Sequence, residues 1–169
     1  MRRLWLLRHA KSSWDDPDLP DELRPLAPRG FRAVAAVARH LHTIGAAPDL
    51  VLCSPARRAV ETWDGVAPGV PRGTSVEFDE AIYHAGADEL RARLRRVPSP
   101  IGSVLLVGHN PGLQEFAVGL VGAGDSELRE RLMTKFPTGA LATLETRGDW
   151  DDMDWGAATL LAYVVPREL

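Results

Sequence analysis

Three short runs of consecutive apolar residues constrain this chain more than any other feature: Leu4-Trp5-Leu6-Leu7, Leu50-Val51-Leu52 and Val104-Leu105-Leu106-Val107. Each reads as a buried strand. Each also leads quickly into a basic or imidazole side chain: Arg8-His9 after the first, Arg58 after the second and His109 after the third. In open α/β sheets the carboxyl ends of the strands are where ligands sit. Three strands aiming Arg8, His9, Arg58 and His109 at one sheet edge would make a pocket for a small anion.

The segments between the strands alternate with them as helices. A polar, Asp- and Pro-rich stretch from Lys11 to Pro28 is too long for a plain connection and is a candidate binding loop. A helix is expected from about Pro28, with Phe31, Val34, Ala35, Ala38, Leu41 and Ile44 on its apolar face and Gly45 as its stop. Ser54-Pro55 and Asn110-Pro111 each read as an N-cap followed by proline at the first helical position. A weaker strand is expected at Ser75 to Phe78, a short helix from Asp88 through Arg96, and a helix from Asn110-Pro111 to about Val121. Gly139 to Thr146 and Thr159 to Val164 read as two strands joined by an acidic turn. The pattern predicts a three-layer α/β/α sandwich with a mostly parallel sheet and an antiparallel edge strand, in one domain spanning residues 1–169.

Composition narrows the function classes. The chain has 169 residues and a formal net charge of -3, so it carries no global attraction to nucleic acid or an anionic membrane. Anion binding must therefore be local. No apolar run approaches the roughly 20 residues that span a bilayer, and the N-terminal run is too short for a signal-peptide core. The single cysteine, Cys53, allows no internal disulfide, which suits a cytoplasmic location.

The chemistry can be read from the residue types. Arg57 and Arg58 fall in the first turn of a helix, where the macrodipole disfavours a cation by about 0.3–1 kcal/mol each; an anion bound there reverses that sign. Either arginine alone could simply point into water. An imidazole flanked by arginines does not readily hold a proton, so His9 is expected to be neutral. If one ring nitrogen donates to a backbone carbonyl, the other is a competent nucleophile towards phosphorus. His109 would donate to phosphate oxygens, while His40 and His42, at a helix end, read as structural.

Competing motifs fail on inspection. The arginine position of a cysteine phosphatase loop, counted from Cys53, falls on Ala59. Gly108-His109-Asn110-Pro111-Gly112 has the outline of a nucleophile elbow, but Asn110 replaces the nucleophile. Gly119, Gly122 and Gly124 follow a helix and not a first strand, so they are no dinucleotide loop. Asp149, Asp151, Asp152 and Asp154 lack the glycine and distal glutamate of a calcium loop, and no zinc motif is present.

Taken together, Leu-Leu-Arg8-His9-Ala10-Lys11, Ser54-Pro55-Ala56-Arg57-Arg58-Ala59-Val60-Glu61-Thr62 and Val107-Gly108-His109-Asn110-Pro111-Gly112 resemble the histidine phosphatase superfamily, with its phosphoglycerate mutase-like fold. The Arg-His-Ala-Lys-Ser opening, the Arg24-Pro25-Leu26 segment and the length resemble its SixA-type phosphohistidine phosphatases. The resemblance extends to Phe136-Pro137-Thr138-Gly139 and the last strand. It implies His9 as the phosphorylated nucleophile and Arg8 and Arg58 as phosphate-binding arginines. Arg58 is chosen over Arg57 because it stands four residues after the serine and directly before alanine. His109 matches the second histidine, and Ser12 or Ser13 would add a donor to the pocket. Glu80 aligns best with the acid that relatives acting on phosphate esters use, and Tyr83 and His84 would sit on the rim. Two positions depart from the common pattern: Ala10 replaces a glycine, and Leu26-Ala27 replaces a Leu-Thr pair. The implied activity is hydrolysis of phosphohistidine on a protein, through a phosphohistidine intermediate at His9 and without metal or cofactor, with small-molecule phosphomonoesters as the second substrate class. A phosphate-binding module without turnover would need only the arginines.

Overall fold

The computed structural model describes all 169 residues. The apolar runs are unbroken because both of their faces are covered. In β1 (Arg2–Arg8), Leu4 and Leu6 point into one core and Trp5 and Leu7 into a second. The same alternation continues in β2 (Leu50–Cys53) and β4 (Ser103–Gly108), whose residues also divide between the two cores. Strands buried on both faces read as continuous hydrophobic runs. Helices α1 (Pro28–Thr43) and α2 (Arg57–Val66) cover one face, and α3 (Ala87–Arg95), α4 (Gly112–Leu120) and α5 (Ser126–Thr134) cover the other.

The remaining strands are β3 (Ser75–Phe78), β5 (Val121–Gly124), β6 (Leu141–Thr146) and β7 (Ala158–Val164), and the sheet order is β3-β2-β4-β1-β6-β7-β5. β1 to β4 pair in parallel. This is the mostly parallel α/β sandwich that the sequence predicts. The antiparallel element is β6, which lies between β1 and β7. The edge beyond β7 is taken by β5, which pairs with it in parallel.

Several local expectations are corrected. On α1 the buried stripe is Gly30, Val34, Val37, Ala38 and Leu41, while Phe31, Ala35 and Ile44 face solvent. The stripe is set by Gly30, because a Cβ there would lie 2.2 Å from the Lys11 carbonyl oxygen, so the helix start seats directly on the loop after β1. Ser54 is not the cap of α2. The helix begins at Arg57 after Ala56, and the Ser54 hydroxyl accepts the Ala56 N–H at 3.2 Å. Asn110 likewise stands one residue outside the α4 cap position, though its Oδ1 reaches the Gln114 N–H at 3.2 Å. β5 and α5 were not anticipated. β5 is half glycine, and α5 buries only Leu132, so neither carries a strong hydrophobic period. α5 is nonetheless well started, since the Asp125 carboxylate accepts the N–H groups of Glu127 and Leu128.

Candidate active site

Parallel register brings the three strand ends level. Arg8 pairs with Gly108 and Cys53 with Val107, so His9, Ser54 and His109 all emerge at one edge. The His9 N–H donates to the Gly108 carbonyl at 3.0 Å, and the Ser54 N–H to the Val107 carbonyl at 3.1 Å. The His9 and His109 rings lie 5.1 Å apart, centroid to centroid.

His9 is buried, and its Nδ1 lies 2.8 Å from the Ala10 carbonyl oxygen. A carbonyl only accepts, so Nδ1 carries the hydrogen and Nε2 keeps its lone pair. Burial pulls the His9 pKa down to about 4. The Ala10 carbonyl opposes that shift, while the like charges of Arg58, Arg8 and Arg24 add to it. His109 is pulled down to about 3, by burial first and then by His9 and Arg58. Its Nε2 lies 2.7 Å from the Ser54 Oγ, whose other side accepts the Ala56 N–H. A Ser54 hydroxyl that donates to His109 leaves the remaining ring hydrogen on Nδ1. That Nδ1 and the Nε of Arg8 are buried without a hydrogen-bond partner in the chain.

Arg8 Nη1 donates to the Phe136 carbonyl at 3.1 Å. Burial, then the like charge of Arg58, lowers its pKa. The two adjacent arginines of α2 part company: Arg57 is half-exposed, 3.6 Å from Glu61, whereas Arg58 is buried. Arg58 donates through Nη1 to the Asp21 carbonyl at 2.8 Å and through Nη2 to the Asp21 carboxylate at 2.9 Å. The same helix pins the loop after β1. Thr62 donates to the Arg58 carbonyl at 2.7 Å and accepts the Ala10 N–H at 3.0 Å, and Glu61 accepts the Leu26 N–H at 2.9 Å.

Three residues not picked out from the sequence as site residues complete the edge. Arg24 is buried, donates to the Ser13 carbonyl at 3.1 Å and the Ser12 hydroxyl at 2.7 Å, and stacks on Trp14. Asp21 meets Arg24 at 3.2 Å, Arg58 and the Tyr83 hydroxyl. The Tyr83 hydroxyl, then Arg58 and Arg24, hold its carboxyl well below the usual carboxylate range against the opposing effect of burial. Ser54 is the third, through its bond to His109. Asp21 gave one signal in the sequence, a carboxylate three residues before an arginine. Ser54 gave only a capping signal. Two neutral imidazoles, His9 buried and His109 half-buried, converge with three guanidiniums on one sheet edge and suit a tetrahedral oxyanion.

The model of the histidine phosphatase superfamily (branch 1) matches residues 4–87. An uncharacterised protein of Mycobacterium tuberculosis is 35% identical over 163 residues, covering 95% of this chain and 100% of that protein. The chain belongs to the histidine phosphatase superfamily. A putative phosphohistidine phosphatase SixA from Nakamurella multipartitia is 31% identical with a TM-score of 0.86, covering 98% of this chain and 96% of that one. A putative phosphohistidine phosphatase SixA from Agrobacterium tumefaciens is 28% identical with a TM-score of 0.83, covering 98% of both.

Of the residues matched to superfamily motifs, Arg8, His9, Arg58 and His109 meet at one place. Tyr83 joins them, with its ring 5.4 Å from His109 and stacked on His84 at 3.9 Å. The Ser12 hydroxyl is buried and engaged by Arg24. Glu80 is exposed at the start of a short turn of 3-10 helix, and the carboxylate that touches Arg58 is that of Asp21. Cys53 is fully buried at the end of β2, and burial pushes its thiol pKa up. In the acidic turn Asp149 pairs with Arg2 and Asp154 with Arg91. No three His, Cys, Asp or Glu side chains are grouped to hold a metal ion, and no helix is long and apolar enough to cross a membrane.

Proposed function

We propose that this chain is a metal-independent phosphohistidine phosphatase that works through a phosphorylated His9. The observation that carries this reading is the His9 ring itself, with Nδ1–H bound to the Ala10 carbonyl and burial holding the imidazole neutral. Its Nε2 is then free to attack phosphorus in line. Arg8 and Arg58 clamp the phosphoryl oxygens, and His109 donates to them as charge moves. The Nε2–phosphorus bond forms as the bond to the leaving group breaks, and the bonding pair departs with that group.

The acids around the site support this substrate class. Asp21 is ionised by its partners and cannot serve as proton donor near neutrality, and Glu80 sits exposed on the surface. An alkoxide needs a proton to leave, whereas a phosphohistidine protonated on its other ring nitrogen leaves as neutral imidazole. The second step has the same property. Phospho-His9 keeps its Nδ1 hydrogen and is a cation, so attack by water on phosphorus expels neutral His9 in its starting tautomer and gives inorganic phosphate.

The test is phosphate release from a histidine-phosphorylated phosphotransfer protein and from an aryl phosphate, with His9→Ala as control. Turnover of the phosphoprotein that disappears in His9→Ala is expected. Absence of turnover on both substrates overturns the enzymatic reading. Glu80→Gln should leave both rates unchanged, since its carboxylate is exposed; collapse of the phosphoprotein rate in that variant, or turnover of the aryl phosphate alone by the wild type, overturns the phosphohistidine assignment.

A further inference from the structure

A cation-lined cleft lies outside the His9 pocket. Lys11, Arg29, Arg32, Lys135 and Arg167 line a single cleft of about 620 Å³, with no carboxylate among its lining residues. Lys11 and Lys135 are the only lysines in the chain. Elsewhere eight arginines each face an aspartate or glutamate within salt-bridge distance, but none of these five cations does. With an overall charge of -3 the chain has carboxylates to spare, so this concentration of one sign is local. Glu127, Glu130 and Glu168 line the adjoining groove on the far side of Lys135 and Arg167, and Glu168 is taken up by Arg131.

The five cations come from four separate segments. Lys11 stands in the loop after β1, Arg29 and Arg32 in the opening turns of α1, Lys135 at the end of α5 and Arg167 in the last turn of the chain. The opening turn of α1 has no acidic residue and no side-chain cap, so its cations oppose the helix dipole. Ala33, Ala36 and Val165 contribute apolar surface to the same cleft.

We propose that this cleft binds an oligophosphate, a small anion with two or more linked phosphoryl groups, at a site separate from His9. The cleft is concave and within the size range of small-ligand sites. A concave wall of one charge concentrates the field towards an entering anion. A single phosphate cannot engage cations arriving from four segments, whereas linked phosphoryl groups can. Guanidinium forks match phosphoryl oxygens in pairs, and the two ammonium groups add point charges.

The experiment titrates the full chain with inorganic tripolyphosphate by calorimetry, at low and high salt. It also maps acetylation of Lys11 and Lys135 by mass spectrometry. Saturable binding is expected in the wild type and in Arg58→Ala, weakening with salt as exposed charges are screened. At least a tenfold loss is expected in Arg32→Glu/Arg167→Glu, and tripolyphosphate should protect Lys135 from acetylation. Both substituted arginines are exposed, and circular dichroism checks the fold. If the double charge reversal unfolds the chain, Arg29→Ser/Arg32→Ser carries the same expectation. Absence of saturable binding overturns the proposal. So does binding lost in Arg58→Ala but kept in the cleft variants, which would place the ligand on the phosphoryl pocket. Polyglutamate binding as tightly as tripolyphosphate also overturns it, and would mark an acidic-protein surface.

Discussion

Lowering the pH probes the electrostatic state of His9 directly. An unfolded chain protonates an ordinary histidine near pH 6.5, whereas burial and neighbouring arginines bring folded His9 to about 4. Between those values the unfolded chain binds more protons at this site than the folded protein does. Stability is therefore untouched above about pH 6.5, falls as pH drops through that window, and levels off below about 4. A gap of about 2.5 pH units at 1.36 kcal/mol per unit corresponds to roughly 3 kcal/mol lost. His109, held at about 3, contributes in the same direction. With the two rings 5.1 Å apart their protonations are coupled, and the losses are not a simple sum. The same shift governs reactivity. At pH 5.5 an ordinary imidazole would be only about one-tenth neutral, whereas His9 stays largely neutral, which keeps the proposed nucleophile in its competent form. The assay is an NMR titration of the ring C–H resonances in the free protein, with His9 assigned by the signal missing from His9→Ala and folding followed by circular dichroism. A His9 midpoint near 6.5 in the folded protein would refute the argument from burial.

Three other substitutions test the arrangement around that ring. Arg58→Ala removes a charged donor from the proposed phosphoryl pocket, and kcat/KM should fall by about 10²–10³, with circular dichroism unchanged. Asp21→Ala takes away the carboxylate that helps raise the Tyr83 pKa. Ultraviolet titration should show Tyr83 ionising at lower pH; an unmoved transition would mean burial alone sets its value. Gly30→Ala places a Cβ 2.2 Å from the Lys11 carbonyl oxygen. It should cost about 1–3 kcal/mol in urea denaturation and reduce turnover as well, because the displaced loop carries His9.

The parts of this molecule that were legible in its sequence are those with dense local signals. The three apolar runs declared their strands because burial on both faces leaves no alternation to misread. The parallel pairing of those strands then placed His9 and His109 together. Phe31 was misread because its spacing fits a helical stripe as well as Val37 does, and only the seat of Gly30 on the Lys11 carbonyl settles which face turns inward. Ser54 was misread for a related reason. A serine before proline near a helix start signals a cap, and nothing local distinguishes capping from a bond to a histidine 55 positions away. Asp21 was out of reach because its partners Arg58 and Tyr83 come from other segments, 37 and 62 positions along the chain.

The α2 motif illustrates how spacing becomes chemistry. Arg58 and Thr62 are one helical turn apart, so the Thr62 hydroxyl can donate back to the Arg58 carbonyl and still accept the Ala10 N–H. Glu61, beside Thr62, accepts the Leu26 N–H further along the same loop. The helix that delivers Arg58 thus also anchors Ala10, the residue whose carbonyl selects the His9 tautomer. Replacing Thr62 would disturb the nucleophile without touching it. Loss of the Ala10 anchor loosens the carbonyl that holds Nδ1–H, and part of the ring population would present the protonated nitrogen towards phosphorus. Thr62→Val should therefore lower kcat more than it raises KM, and Thr62→Ser should recover most of the loss. Activity kept in Thr62→Val but lost in Thr62→Ser would mean that Thr62 serves only to fill space.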